Sequence, residues 1–169
     1  MLVLGIDPGI EKTGIGIVET KGSKHNLVFN KLIKTGSSLP HGERLGLIFD
    51  EVSNIISLFK PDCAAIEKLF FSKNIKTAMT VSEARGVIML VLHKNGLPVY
   101  EYTPLQIKQA LIGYGRGTKQ QVLELVKIMV NRPDLKVIDD VADGIACAIT
   151  HINTYKTISK INKSMRGPS

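Results

Sequence analysis

The sequence predicts an α/β domain built on a mixed five-stranded sheet, its first three strands antiparallel, with helices packed around it. Three observations carry this prediction. The first 35 residues hold three short apolar or alternating segments joined by short connections, which is the pattern of an antiparallel meander. Beyond them, helical periodicity alternates with brief apolar runs, which is the pattern of crossover units. The chain has 169 residues, 44% of them hydrophobic, which suits one domain with a real core.

The elements follow in order. Residues 2–6 are apolar apart from Gly5 and run into Asp7-Pro8-Gly9, a buried strand ending in a turn. Thr13 to Glu19 alternates small and apolar residues and reads as a second strand. Asn26 to Thr35 reads as a third, with Leu27, Phe29 and Ile33 among polar neighbours. Leu45, Ile48, Phe49, Val52, Ile55, Ile56 and Phe59 recur at the spacing of one helical face, and Pro61 stops that helix. Cys63 to Ile66 is a short apolar strand that ends at Glu67. A helix over about 74–94 is closed by Asn95-Gly96. It is apolar nearly all round towards its end and needs cover on more than one side. Val99 to Tyr102 is the fifth strand. Helices over about 104–112, 119–130 and 140–153 complete the domain, separated by the glycine-rich 113–117 and the turn at Pro133. These boundaries place a single domain over 1–153 and a basic, flexible tail over 154–169.

Charge suggests a class of partner. Lys and Arg number 22 against 15 Asp and Glu, a formal net charge of +7 that favours a polyanion. Lys156, Lys160, Lys163 and Arg166 fall in residues 151–169, which hold no acid. The opening MLVLGIDPG carries no basic leader, and Val87 to Leu92, the longest apolar run, is far short of the ~20 residues of a membrane helix. Cys63 and Cys147 are too far apart in sequence to be a metal-spaced pair and read as small buried residues. The expectation is a reduced cytoplasm and no membrane.

The chemistry lies in the carboxylates. Asp7 and Glu67 each end an apolar strand, where α/β proteins expose their sites. Neighbouring strands lie only ~4.8 Å apart, so two such acids can share one rim. Asp139, Asp140 and Asp143 open a helix. Asp139 suits an N-cap, while Asp140 and Asp143 stand one above the other at i, i+3. Spacing alone leaves Asp139 and Asp140 equal candidates to act beside Asp143. Acids converging from such distant segments need cations to offset their repulsion. A set made only of oxygen ligands suits Mg²⁺ or Mn²⁺. Two ions ~3.5–4 Å apart would activate water and stabilise the leaving oxygen of a phosphodiester.

GIDPG (5–9), TGIGIVE (13–19), AIEKLFFSKN (65–74), SEARGV (82–87), QIKQAL (106–111) and DDVADGIACAITH (139–151) together resemble the RuvC family of Holliday junction resolvases. The motifs stand in the family's order over about residues 1–152. The resemblance implies an RNase H-like fold, a homodimer and Mg²⁺-dependent paired nicking of four-way DNA junctions. It implies Asp7, Glu67, Asp140 and Asp143 as the catalytic, metal-holding acids, and so selects Asp140 where spacing could not. It also implies Phe70 as an aromatic that stacks on an unpaired base, and Lys108 and Lys119 as DNA-contacting or catalytic lysines. Arg116 is expected to add positive charge near the DNA path. The helix over 74–94 matches the family's dimerisation helix, and a branch-migration motor of RuvA with RuvB is the implied partner. Four of the 15 acids then fall in one site, so the remaining surface is more basic than +7 suggests.

Other readings remain beside this one. The same fold could carry a non-catalytic four-way-junction scaffold, or a nuclease acting on an RNA-containing substrate. The glycine-rich 113–119 departs from a phosphate loop, because Lys119 follows Thr118 and a helix precedes it. His151 reads as a cation closing the last helix, favourable to the dipole there.

Overall fold

The computed structural model describes residues 1–69, 75–113 and 117–165, with 75–77 and 159–165 as backbone alone. The meander is β1 (Leu2–Asp7), β2 (Lys12–Lys21) and β3 (Lys24–Lys34). There follow α1 (His41–Phe59), β4 (Cys63–Glu67), α2 (Ile75–Lys94), β5 (Val99–Tyr102), α3 (Pro104–Ile112), α4 (Lys119–Met129) and α5 (Asp139–Met165). One sheet runs in the order β3-β2-β1-β4-β5. β2 is antiparallel to both β1 and β3, while β4 is parallel to β1 and β5. This is the expected mixed five-stranded sheet.

Side chains alternate across a strand, so each strand feeds two cores. Leu4, Ile6, Ala64 and Ile66 face one side, where they meet Ile48, Val52 and Ile55 of α1 and Ala84, Ile88 and Leu92 of α2. Val3, Cys63 and Ala65 face the other side, towards Ile145, Ile149 and Ile152 of α5. Those three isoleucines are fully buried, each contributing roughly 1.5–3 kcal/mol. By the same parity Asp7 and Glu67 rise on the α5 face.

Glycines let α5 lie directly on the sheet. A Cβ on Gly5 would strike the carbonyl oxygen of Gly144, and one on Gly14 the carbonyl oxygen of Asp140. A Cβ on Gly16 would run into the Ile145 side chain. The first turns of α5 therefore touch the sheet backbone to backbone, just where Asp140 and Asp143 emerge.

Two boundaries and the role of one histidine differ from the sequence pattern. α5 does not stop near 153 but runs to Met165, so residues 154–165 extend the helix. Its apolar face fades after Ile152, and Tyr155 and Ile158 are exposed, which removes the periodic signal. Propagation of a formed helix needs no buried face. α1 starts at His41, ahead of the first apolar position, and its first turn is exposed, so no apolar periodicity marks its beginning. His151 is not a terminal cation, since it sits inside α5 and is buried. The Tyr102 hydroxyl lies 2.8 Å from its Nδ1, Tyr100 stacks on it at 4.1 Å, and burial holds its pKa down.

On α2, Ala84, Ile88, Val91 and Leu92 are buried, while Met79 and Leu90 are 61% and 51% exposed. Gly86 lies between them, and among the described residues nothing outside its own helix comes within 4 Å of its Cβ position. No helix among the described residues is long and apolar enough to cross a membrane.

Candidate active site

The register of the sheet sets the site. Ile6 pairs with Ile66, so Asp7 and Glu67 stand level at the ends of adjacent parallel strands, whose axes are ~4.8 Å apart. On the other side Asp7 pairs with Gly14, the residue on which the Asp140 carbonyl rests. Asp140 and Asp143 of α5 are thus brought against Asp7 by a contact that only glycine permits.

The turn after Asp7 is fastened from three elements. The buried Thr13 donates its hydroxyl to the Gly9 carbonyl at 2.7 Å. Thr35, at the end of β3, donates its hydroxyl to the Ile10 carbonyl and its N–H to the Glu11 carbonyl. Arg44 of α1 donates from Nε to the Thr35 hydroxyl at 2.9 Å. Sequence reasoning missed this fastening and the role of the glycines. The alternating Gly14 and Gly16 were the visible signal for the latter.

Two helix starts bring the lysines. Thr103 and Gln106 form a reciprocal capping box at the start of α3, which carries Lys108. Thr118 and Gln121 do the same for α4, whose first residue is Lys119. Asp7, Glu67, Asp143, Lys108 and Lys119 share one cavity of about 310 Å³, with Pro104, Ile107 and Val122 as its apolar wall. A second cavity of about 230 Å³ continues past Asp7 and Glu67 along Lys68 and Leu69. Asp140 does not line the larger cavity and acts on Asp7 and Asp143 through its charge. Phe70 and Arg116 lie outside the described residues.

Burial and mutual repulsion push the acids up. Asp7 is raised to about 8, first by burial and then by the charges of Glu67, Asp143 and Asp140, with Lys119 opposing. Glu67 is raised to about 7 by burial and then Asp143, opposed by Lys119 and Lys108. Asp143 is raised chiefly by burial, with Asp139 and Asp140 adding to it and both lysines opposing. Cys147 lies beneath them, fully buried, its thiol pushed well up by burial and by the charges of Glu67 and Asp7.

Such carboxyls bind protons that the unfolded chain releases, so their contribution to stability is full at low pH. For Asp7 it is lost progressively as pH rises from its ordinary 3.8 through about 8. The metal-free protein is therefore expected to melt at lower temperature as pH rises across this window. Asp7→Asn should flatten the fall and melt above wild type near pH 8. Calorimetry in EDTA checks both points, and a wild-type Tm that climbs from pH 5 to pH 8 contradicts them.

The donor set is all oxygen and the charge is negative, which fits a hard divalent cation. Among the described residues no three potential ligands are closed around one point. The residues fit a cation shared across the pit, and Lys119 faces every one of Asp7, Glu67 and Asp143 as a competing positive charge.

Carboxylates at the ends of two central strands, faced by acids on a helix lying across them, stand on a mixed five-stranded sheet of one class: an RNase H-like α/β domain. The match to the crossover junction endodeoxyribonuclease RuvC family covers residues 3–151, and the chain belongs to that family. RuvC of Caldicellulosiruptor saccharolyticus is 52% identical over 159 residues, 94% of this chain and 96% of that protein. RuvC of Ruminiclostridium cellulolyticum is 45% identical over 156 residues, 92% of this chain and 94% of that one. The solved structure of T. thermophilus RuvC in complex with Holliday junction substrate is 35% identical. It matches with a TM-score of 0.89 over 93% of this chain and 96% of its own.

Proposed function

We propose that this chain is the Holliday junction resolvase of its cell, an endonuclease that nicks two strands of like polarity in a four-way DNA junction. The observation that carries the reading is the single cavity that joins Asp7, Glu67 and Asp143 to Lys108 and Lys119. Family membership supports reading this cavity as the place for the reaction. An all-acid site with opposed lysines argues against a scaffold, which has no use for buried repelling carboxylates.

Asp7, Glu67, Asp140 and Asp143 would hold two Mg²⁺ ions, with Mn²⁺ able to substitute. Bound there, the ions would supply the charge that activates water and stabilises the leaving oxygen. Lys108 and Lys119 hold the phosphate against the pit and offset the strand's charge as it approaches. The products are a 5′-phosphate and a 3′-hydroxyl. Phe70 stacks on a base unpaired at the junction, a contact worth ~1–3 kcal/mol, and Arg116 meets the backbone nearby. Junction choice comes from DNA shape and deformability. RuvA with RuvB supplies branch migration, and the cytoplasm is the compartment.

Paired nicks need two sites, and α2 offers the means. Met79, Gly86 and Leu90 leave an exposed face on α2, interrupted by Glu83, and Gly86 permits a second helix to approach closely. The chain is expected to sediment as a dimer at micromolar concentration. Leu90→Glu should give monomers that still fold. A wild-type monomer, or a dimer undisturbed by the substitution, contradicts this assignment of α2.

The function is tested by offering the purified chain a synthetic four-way junction, a linear duplex and an RNA–DNA hybrid, each with Mg²⁺. Nicking of the junction alone supports the proposal. Binding without cleavage would favour a scaffold, and preferential cutting of the hybrid a nuclease for RNA-containing substrate.

A further inference from the structure

Lys12 opens β2, Lys34 closes β3, and the two are direct cross-strand partners. Lys12 shares the parity of Gly14 and Gly16, whose missing side chains would meet α5, so it rises on the face that carries Asp7. It lies two residues beyond the partner of Asp7, towards the rim of the sheet. Lys34 follows the parity of Leu32, which packs into the core beneath α5. Both lysines are exposed, and among the described residues no carboxylate pairs with either.

Like charges directly opposite one another work against the sheet. The other cross-strand lysine pair, Lys21 and Lys24 at the hairpin, relieves this in part, because Lys21 pairs with Glu19 at 3.2 Å. Lys12 and Lys34 have no such relief, and they sit at the sheet end where the acids emerge. Lys108 and Lys119 reach the acids from α3 and α4, which follow β5 on the opposite side of the sheet order. The acidic pit therefore lies between two pairs of lysines. A polyanionic strand crossing carboxylates is repelled at the crossing point and needs cations on both sides of it.

We propose that Lys12 and Lys34 form a phosphate-binding pair that holds the DNA strand on the β3 side of the cleavage point. This rests on the junction-nicking reading. The pair and the α3–α4 lysines then hold the strand across the pit from its two ends.

The test compares Lys12→Gln/Lys34→Gln with Lys21→Gln/Lys24→Gln, which removes the same charge at the far end of the same strands. Equilibrium binding to a synthetic four-way junction is measured in EDTA over a salt series. Each phosphate contact adds ~0.9 to the slope of log K against log salt. The Lys12/Lys34 variant is expected to lose about that much per lysine and to bind more than tenfold more weakly near 100 mM salt. Its KM should rise while kcat at saturating junction stays at the wild-type value, and it should melt no lower than wild type. An unchanged slope, or an equal loss in the Lys21/Lys24 variant, overturns the proposal. Wild-type protein that ignores the junction altogether would instead overturn the functional reading beneath it.

Discussion

Asp7→Asn is expected to lower Mg²⁺-dependent nicking by roughly 10²–10³-fold or more, while junction binding stays as strong as wild type. Asp7 is the acid on which the other three act: Glu67, Asp143 and Asp140 all raise it. Asparagine keeps the volume and leaves the strand pairing with Gly14 untouched. It removes a carboxylate that a bound cation would keep ionised, so cation binding and water activation weaken together. The same change lessens the repulsion felt by an incoming phosphate, which is why binding survives. Single-turnover nicking and equilibrium binding, measured on the same junction, separate the two effects. Wild-type nicking by the variant would remove Asp7 from the mechanism.

Gly14→Ala is expected to damage both fold and activity, although it adds one methyl group. Its Cβ would overlap the Asp140 carbonyl and press on the Val141 nitrogen at 2.8 Å. Those are backbone atoms in the first turn of a helix and have no rotamer to yield. The helix must lift, and buried Val141, Ala142 and Ile145 lift with it. Overpacking of this kind costs about 1–3 kcal/mol, and a 1 Å displacement of reacting groups about 10²-fold in rate. Gly46→Ala gives the contrast, since Gly46 is exposed on α1 with nothing within 4 Å of its Cβ position. There the change should stabilise by about 0.5–1 kcal/mol. Urea unfolding and nicking rates for both variants check the pair. A Gly14→Ala protein with wild-type stability and rate would mean that the helix is not held by this contact.

Much of the architecture was legible from local pattern. The five strands, the parallel and antiparallel halves of the sheet, and the placing of Asp7 and Glu67 at strand ends follow from short-range periodicity. Parity then puts both acids on one face. What pattern could not supply was the approach of α5. Gly14 and Gly16 were visible as alternating small residues, but their purpose depends on Asp140 and Ile145, more than a hundred residues away. Thr13 and Thr35 were equally opaque, because a buried threonine reveals its partner only when the turn it fastens is folded. The end of α5 was misplaced for the opposite reason: beyond Ile152 the helix has no continuous buried face to mark it. Lys12 and Lys34 look like ordinary surface lysines until the β2–β3 register sets them opposite each other.

One acidic pit per chain, charged with divalent cations, is proposed to cut a four-way junction. Mapping nicks on all four strands of a synthetic junction, with Mg²⁺ and then with EDTA, tests it most directly. Symmetric nicks are expected in two strands of like polarity, with 5′-phosphate ends, and they should vanish in EDTA. Nicks that persist in EDTA, or that fall equally on a linear duplex, would contradict it.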